Sequence, residues 1–143
     1  MNNNFVLRVK RLKPRAKNPG KAYSGDMGFD LYADGHYEVP MYGNVKVGTS
    51  IAVELPPGYG AIIMDRSSLG LKGLNIHGGV IDNGYRGEIF VNMWNHSQQL
   101  ITVDCGDKIG QLILIPILDV SVHVVAELAE TDRGEKGYGS SGR

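Results

Sequence analysis

The chain has 143 residues and a mass of 15.5 kDa, enough for one domain with a real core and too little for two. Fifteen Lys and Arg against fifteen Asp and Glu leave no formal net charge, which removes a whole-molecule electrostatic case for nucleic-acid or membrane partners. The 42% hydrophobic content excludes a disordered chain, and the single cysteine, Cys105, excludes an internal disulfide and points to a reducing compartment, the cytoplasm.

In chain order, Phe5, Leu7 and Val9 alternate with polar residues and predict an edge strand. Seven of the fifteen basic residues (Arg8, Lys10, Arg11, Lys13, Arg15, Lys17, Lys21) precede the first acidic one, Asp26, and read as the solvated face of that strand rather than a nucleic-acid arm. Alternation returns in Ile51, Val53, Leu55, in Ile89, Val91, Met93, and in Val120, Val122, Val124, predicting further half-buried strands. Twenty glycines and six prolines punctuate these runs, so the expected class is all-β. Ser67 to Leu74 and Val125 to Glu130 have room for a helical turn at most. The longest apolar run, Leu112 to Leu118, is interrupted by Pro116, and the first residues lack an apolar secretion signal, so neither a membrane span nor export is expected. Thr131 to Arg143 is polar and Gly-rich, a tail expected to stay mobile until a ligand or neighbour holds it.

Three segments could carry chemistry. Gly137 to Gly142 satisfies the letters of the dinucleotide fingerprint but has no helix after it; what remains is a Gly/Ser arm near Arg133 and Lys136 able to grasp an anion. Arg66, Ser67, Ser68, Leu69, Gly70 sets a guanidinium beside two hydroxyls at a helical turn, suited to phosphate oxygens or to simple capping. Gly78 to Glu88 contains Asn83-Gly84, the pattern of a type I′ hairpin, which would hold Asp82 and Tyr85 side by side. His36, His77, His96 and His123 are scattered, and no phosphate-binding P-loop pattern occurs.

Together these segments resemble, in order, the five motifs of the trimeric dUTPase family. They are Gly25 to Leu31, Arg66 to Gly70, Gly79 to Glu88, Gly106 to Leu112, and Arg133 to Gly142. The resemblance implies a jelly-roll-like distorted β-barrel, residues 1–130, with a flexible lid at 131–143, assembled as a homotrimer whose sites are shared between subunits. It implies hydrolysis of dUTP to dUMP and pyrophosphate with Mg²⁺, lowering dUTP and supplying dUMP for dTTP synthesis.

The same resemblance implies roles. Asp82 would be the general base that activates water. Tyr85 would lie on the deoxyribose and exclude a 2′-hydroxyl. Gly78, Gly79, Val80 and Ile81 would present backbone to the uracil edge, with Asn75 nearby. Arg66, Ser67, Ser68 and Gln111 would bind phosphates from adjoining subunits, and Asp30 would touch the metal through water. Tyr138 would stack on uracil, while Arg133, Gly139, Ser140 and Ser141 would close over the phosphates. Asp65 stands where the family often has Pro, and is expected to pair with Arg66. A dCTP deaminase of the same fold, with Glu88 as its acid/base, and a non-catalytic nucleotide-sensing protein are the alternatives. A viral origin would place the protein in the host cytoplasm or nucleus.

Overall fold

The computed structural model describes residues 5–137. Its strands are β1 (Arg8–Arg11), β2 (Gly28–Tyr32), β3 (Tyr37–Val39), β4 (Asn44–Glu54), β5 (Tyr59–Met64), β6 (Leu74–His77), β7 (Val80–Ile81), β8 (Glu88–Asn95), β9 (Ile101–Val103) and β10 (Lys108–Pro116), with one short helix, α1 (Ser67–Gly70). They form a four-stranded sheet in the order β1-β4-β8-β6, a second in the order β2-β10-β5-β7, and the pair β3-β9. Successive strands jump between the sheets, as in a jelly roll, and every ladder is antiparallel. The sheets do not close into a barrel: β1, β6, β2 and β7 remain edges.

The core lies between the sheets. Ile89, Val91 and Met93 of β8 join Val47, Ile51 and Val53 of the neighbouring β4 in one core cluster with Leu31, Leu112 and Ile63 of the second sheet. The period-2 alternation of β8 thus does what its sequence predicts, whereas β4 is buried continuously from Val47 to Val53. Truncating Ile89, which is fully buried, would cost about 2–5 kcal/mol through lost contacts and a residual cavity. Asn95 is equally buried yet satisfied, its amide donating to the carbonyls of Val39 and Gln99 and its Oδ1 accepting from Ser97.

Between Gly48 and Ala52 the β4–β8 register slips, and Ser50 in this bulge has φ of +53°. A polar cluster holds it there. Asp34, 5% exposed, accepts from Ser50 Oγ, from Tyr37 Oη at 2.6 Å and from Lys13 Nζ at 2.8 Å, while the Ser50 N–H donates to Glu88 Oε1 at 2.8 Å. Burial alone would raise the Asp34 carboxyl; the bonds from Lys13, Ser50 and Tyr37 overcome it and bring the pKa to about 2.

Two expected elements are not formed. Val120, Val122 and Val124 belong to no strand and are exposed, Val124 by 98%, and Val125 to Glu130 contains no helical turn. Alternation provides one apolar face, but after β10 the chain leaves the sheet and meets no strand of its own to pair with. The basic strand β1 is, as expected, an edge, with Arg8 paired to Glu54 at 2.7 Å, but it begins only at Arg8, after Phe5 and Leu7, and carries three of the seven basic residues, Lys13 pairing instead with Asp34.

Candidate active site

Most of the candidate site residues among those described line one or other of two clefts that share no lining residue. The first, of about 220 Å³, is lined by Gly78, Val80, Ile81, Asp82, Tyr85, Glu88 and Phe90. Its floor is β7, an edge strand paired only with β5, so the outer backbone edge of this segment stays open. Gly79 is required by packing: a Cβ would stand 2.5 Å from the Ile63 carbonyl oxygen, and the Gly79 carbonyl already accepts from Ile63 N–H at 2.7 Å. Gly78 has φ of +66°, which turns the chain into this approach.

Asp82 to Tyr85 is a turn closed by Tyr85 N–H to the Asp82 carbonyl at 3.1 Å, but it is not the expected type I′ hairpin. Neither Asn83 nor Gly84 has positive φ, and the flanking strands do not pair: β7 joins β5 in one sheet and β8 joins β4 and β6 in the other. Primed turns match the twist of two paired strands, and here the turn carries the chain between sheets instead. Asp82 and Tyr85 still flank it. The Tyr85 hydroxyl donates to the Glu88 carbonyl at 2.9 Å, and Gly87 makes room for the ring, since a Cβ there would lie 2.4 Å from the Tyr85 oxygen. Asp82 is exposed, and its carboxylate has no hydrogen-bond or ion-pair partner among the described residues.

The second cleft, about 300 Å³, is lined by Asp26, Gly28, Asp30, Arg66, Ser67, Lys108 and Gln111, with Ala22, Tyr23 and Met27 at its margin. Register builds it: Gln111 on β10 lies opposite Asp30 on β2, so their side chains share a face. Asp30 Oδ2 meets Lys108 Nζ at 2.6 Å and Oδ1 meets Arg66 Nε at 3.3 Å; the bond that Lys108 donates to Asp30 raises the Lys108 pKa. Gly28 is needed for Gln111, because a Cβ would come within 2.6 Å of its Oε1. Gln111 Nε2 donates to the Asp65 carbonyl at 2.8 Å, leaving its second N–H available.

Arg66 does not pair with Asp65, as the sequence reading expects. The Asp65 carboxylate instead accepts from Asn75 Nδ2 at 2.9 Å and from Ile76 N–H at 2.6 Å, which ties β6 to the end of β5 and frees Arg66 for Asp30. Asn75 therefore braces this junction and lines neither cleft. Ser67 opens α1 and Ser68 follows it; both are exposed, and neither caps the helix. Arg133 sits in an exposed turn and donates to the Lys136 carbonyl, touching neither cleft. Tyr138, Gly139, Ser140 and Ser141 lie outside the described residues.

Lys108 lies within the fourth motif, and sequence reasoning assigns it no role; a cation three residues before Gln111 at the start of a strand is the available signal. His77 and His96 do meet, their rings 6.2 Å apart around Trp94, yet no group of three possible metal ligands forms among the described residues.

Comparison with known proteins bears on the family of the chain as a whole. The dUTPase family profile matches residues 15–142. The chain is 39% identical over 142 residues to the deoxyuridine 5′-triphosphate nucleotidohydrolase of Monkeypox virus, covering 99% of this chain and 94% of that protein. It is 41% identical over 140 residues to the enzyme of the same name from Gloeothece citriformis, covering 95% and 96%. Among solved structures, the Staphylococcus bacteriophage 80alpha dUTPase with dUpNHpp superposes with a TM-score of 0.86 at 27% identity, covering 96% of this chain and 99% of that one. A mutant dUTPase from phage phi11 of S. aureus, described with a structural Mg(II) ion, matches with a TM-score of 0.78 at 25% identity over 85% of this chain and 97% of that one. With its fold, its ordered motifs and these matches over nearly its whole length, the chain belongs to the dUTPase family.

Proposed function

We propose that this protein hydrolyses dUTP to dUMP and pyrophosphate, as a homotrimer in which one subunit's Asp82 cleft faces another's Arg66 cleft. The observation that carries the reading is the partnerless carboxylate of Asp82 held beside the braced ring of Tyr85 at the open edge of β7. A carboxylate so placed can take a proton from water while the water oxygen forms its bond to the α-phosphorus and the bond to the bridging oxygen breaks. Tyr85 covers the sugar and leaves no room for a 2′-hydroxyl, and the unpaired edge of β7 offers donors and acceptors to uracil. Cytosine, with its pattern reversed at position 4, would leave them unmatched.

The phosphates fall to the second cleft. Arg66, Ser67, Ser68 and Gln111 supply donors to the transferring phosphoryl and the leaving pyrophosphate, and Lys108 adds a point charge. Arg66 and Lys108 are balanced by Asp30 in the free protein, and phosphate oxygens would take over part of that role. The donor set fits Mg²⁺ that arrives on the triphosphate: the cleft offers two carboxylates, Asp26 and the already paired Asp30, rather than a cage, and this ion keeps most of its waters. Bound there, the ion would neutralise phosphate charge, with Asp30 accepting from its water. The lid, 131–143, brings Arg133, Tyr138, Gly139, Ser140 and Ser141 over the nucleotide and excludes bulk water. Among the described residues no helix is long and apolar enough to cross a membrane, and we place the protein with the nucleotide pool, in the cytoplasm or, for a viral chain, the host cytoplasm or nucleus.

Glu88 speaks against the deaminase alternative. It lines the Asp82 cleft, but its carboxylate already accepts the Ser50 N–H. The test is pyrophosphate and ammonia release with Mg²⁺ from dUTP, UTP, dTTP and dCTP. Pyrophosphate from dUTP alone, lost in Asp82→Asn, is the expected result; ammonia from dCTP, or silence on all four, would refute it. For the shared site, Asp82→Asn and Arg66→Ala refolded together should recover part of the activity each lacks alone.

A further inference from the structure

The turn that carries Asp82 and Tyr85 has an anchor of its own. Asn83 Nδ2 donates to the Pro56 carbonyl at 2.9 Å and to the Tyr59 carbonyl at 2.7 Å. These two carbonyls bracket the connection from β4 to β5, which is itself closed by Tyr59 N–H to the Pro56 carbonyl at 3.1 Å. The connection leads straight into β5, the strand that pairs with both β7 and β10. Arg86 works differently: Nη1 reaches the Asn83 and Tyr85 carbonyls at 2.7 and 3.0 Å, and so binds the turn only to itself. The preceding strand, β7, is two residues long and a weak lever. Asp82 has no side-chain partner, so its aim is inherited from the backbone that Asn83 pins.

We infer that Asn83 is a positioning residue for hydrolysis: its amide clamps the catalytic turn to the β4–β5 connection and so sets the line of Asp82 on the attacking water. The inference rests on Asp82 being the base. Both acceptors are carbonyl oxygens, so only a donor serves; aspartate, of the same size, would put a carboxylate against them. The phosphate cleft shares no residue with this clamp and the Tyr85 ring keeps its own brace to the Glu88 carbonyl, so binding should survive its loss while attack geometry suffers.

The experiment compares full-length wild type, Asn83→Ala, Asn83→Asp and, as a control, Asn18→Ala, which removes an exposed bond from Arg11. Asn83→Ala should lower kcat for dUTP by about 10- to 100-fold, the scale set by small misplacements of reacting groups, with KM within about threefold. Asn83→Asp should be lower still, and Asn18→Ala unchanged. Amide hydrogen exchange at residues 82–87 should quicken in both Asn83 variants without nucleotide, a readout that does not depend on activity. Wild type without dUTPase activity would defeat the assignment of Asp82. Active wild type with Asn83→Ala at full kcat, with unchanged exchange, or with a loss matched by collapse of Tm in both variants would overturn the clamp alone.

Discussion

The two clefts are stiffened by opposite means. Around Asp82 and Tyr85 the geometry rests on neutral, directional bonds: Asn83 to Pro56 and Tyr59, Tyr85 to Glu88, and glycines that admit a carbonyl or a ring. Around Arg66 and Lys108 it rests on ion pairs to the one carboxylate of Asp30, partly open to water. Bonds of the first kind fix a direction and are indifferent to salt, whereas half-exposed ion pairs contribute little to stability and yield to a competing anion. The firm half is where a reacting proton must be placed, and the exchangeable half is where negative charge arrives and departs.

The contrast can be broken at either end. The largest effect is expected for Asp82→Asn, which should cut kcat by about 10²- to 10⁴-fold while the affinity for a non-hydrolysable dUTP analogue, measured by calorimetry, stays near wild type. Arg66→Ala should cost about 10²- to 10³-fold in kcat/KM, and, unlike Asp82→Asn, should weaken that affinity. If both variants lost binding equally, the division of labour would be wrong. Gly87→Ala sharpens the picture within the firm half. Its Cβ would displace the Tyr85 ring, so discrimination of dUTP over UTP in kcat/KM should fall roughly tenfold with dUTP turnover less affected.

The smallest effect on turnover belongs to the cluster behind the firm half. Asp34, with a pKa of about 2 against the ordinary 3.8, stabilises the fold above the ordinary value, and that contribution is lost as pH falls through about 2. Lys13 and Tyr37 face it, and Glu88 lies across the bulge. Asp34→Asn should therefore lower stability by about 1–3 kcal/mol at neutral pH, since Ser50, Tyr37 and Lys13 lose a charged acceptor. The gap from wild type should close between pH 4 and pH 2, as followed by thermal melts. A gap that persisted in acid would assign the loss to packing.

Much of the site was legible because motifs are local. Arg66, Ser67 and Gln111 meet in one cleft, and Asp82, Tyr85 and Gly78 in the other, a grouping that parallels the roles implied by the family resemblance and not anything read from spacing. What misled was the assumption that neighbours in sequence are partners in space. Asn83-Gly84 carries the residues of a type I′ turn, yet the strands around it belong to different sheets. Asp65 adjoins Arg66 but turns to Asn75 and Ile76, because a carboxylate just past the end of β5 reaches donors on β6, an edge strand. Val120, Val122 and Val124 alternate as well as Ile89, Val91 and Met93 do; only β8 has a strand on each side.

By itself, then, the sequence determined the class, through alternation and glycine spacing, and the cast of side chains able to handle a nucleotide, through motif order. Tertiary structure alone decided how they are divided: Gln111 opposite Asp30 by register, Lys108 drawn to Asp30, Gly79 pressed on Ile63 and Gly28 on Gln111. These are contacts between residues 16 to 83 positions apart, set by which strands pair and in what register, and no local propensity encodes them.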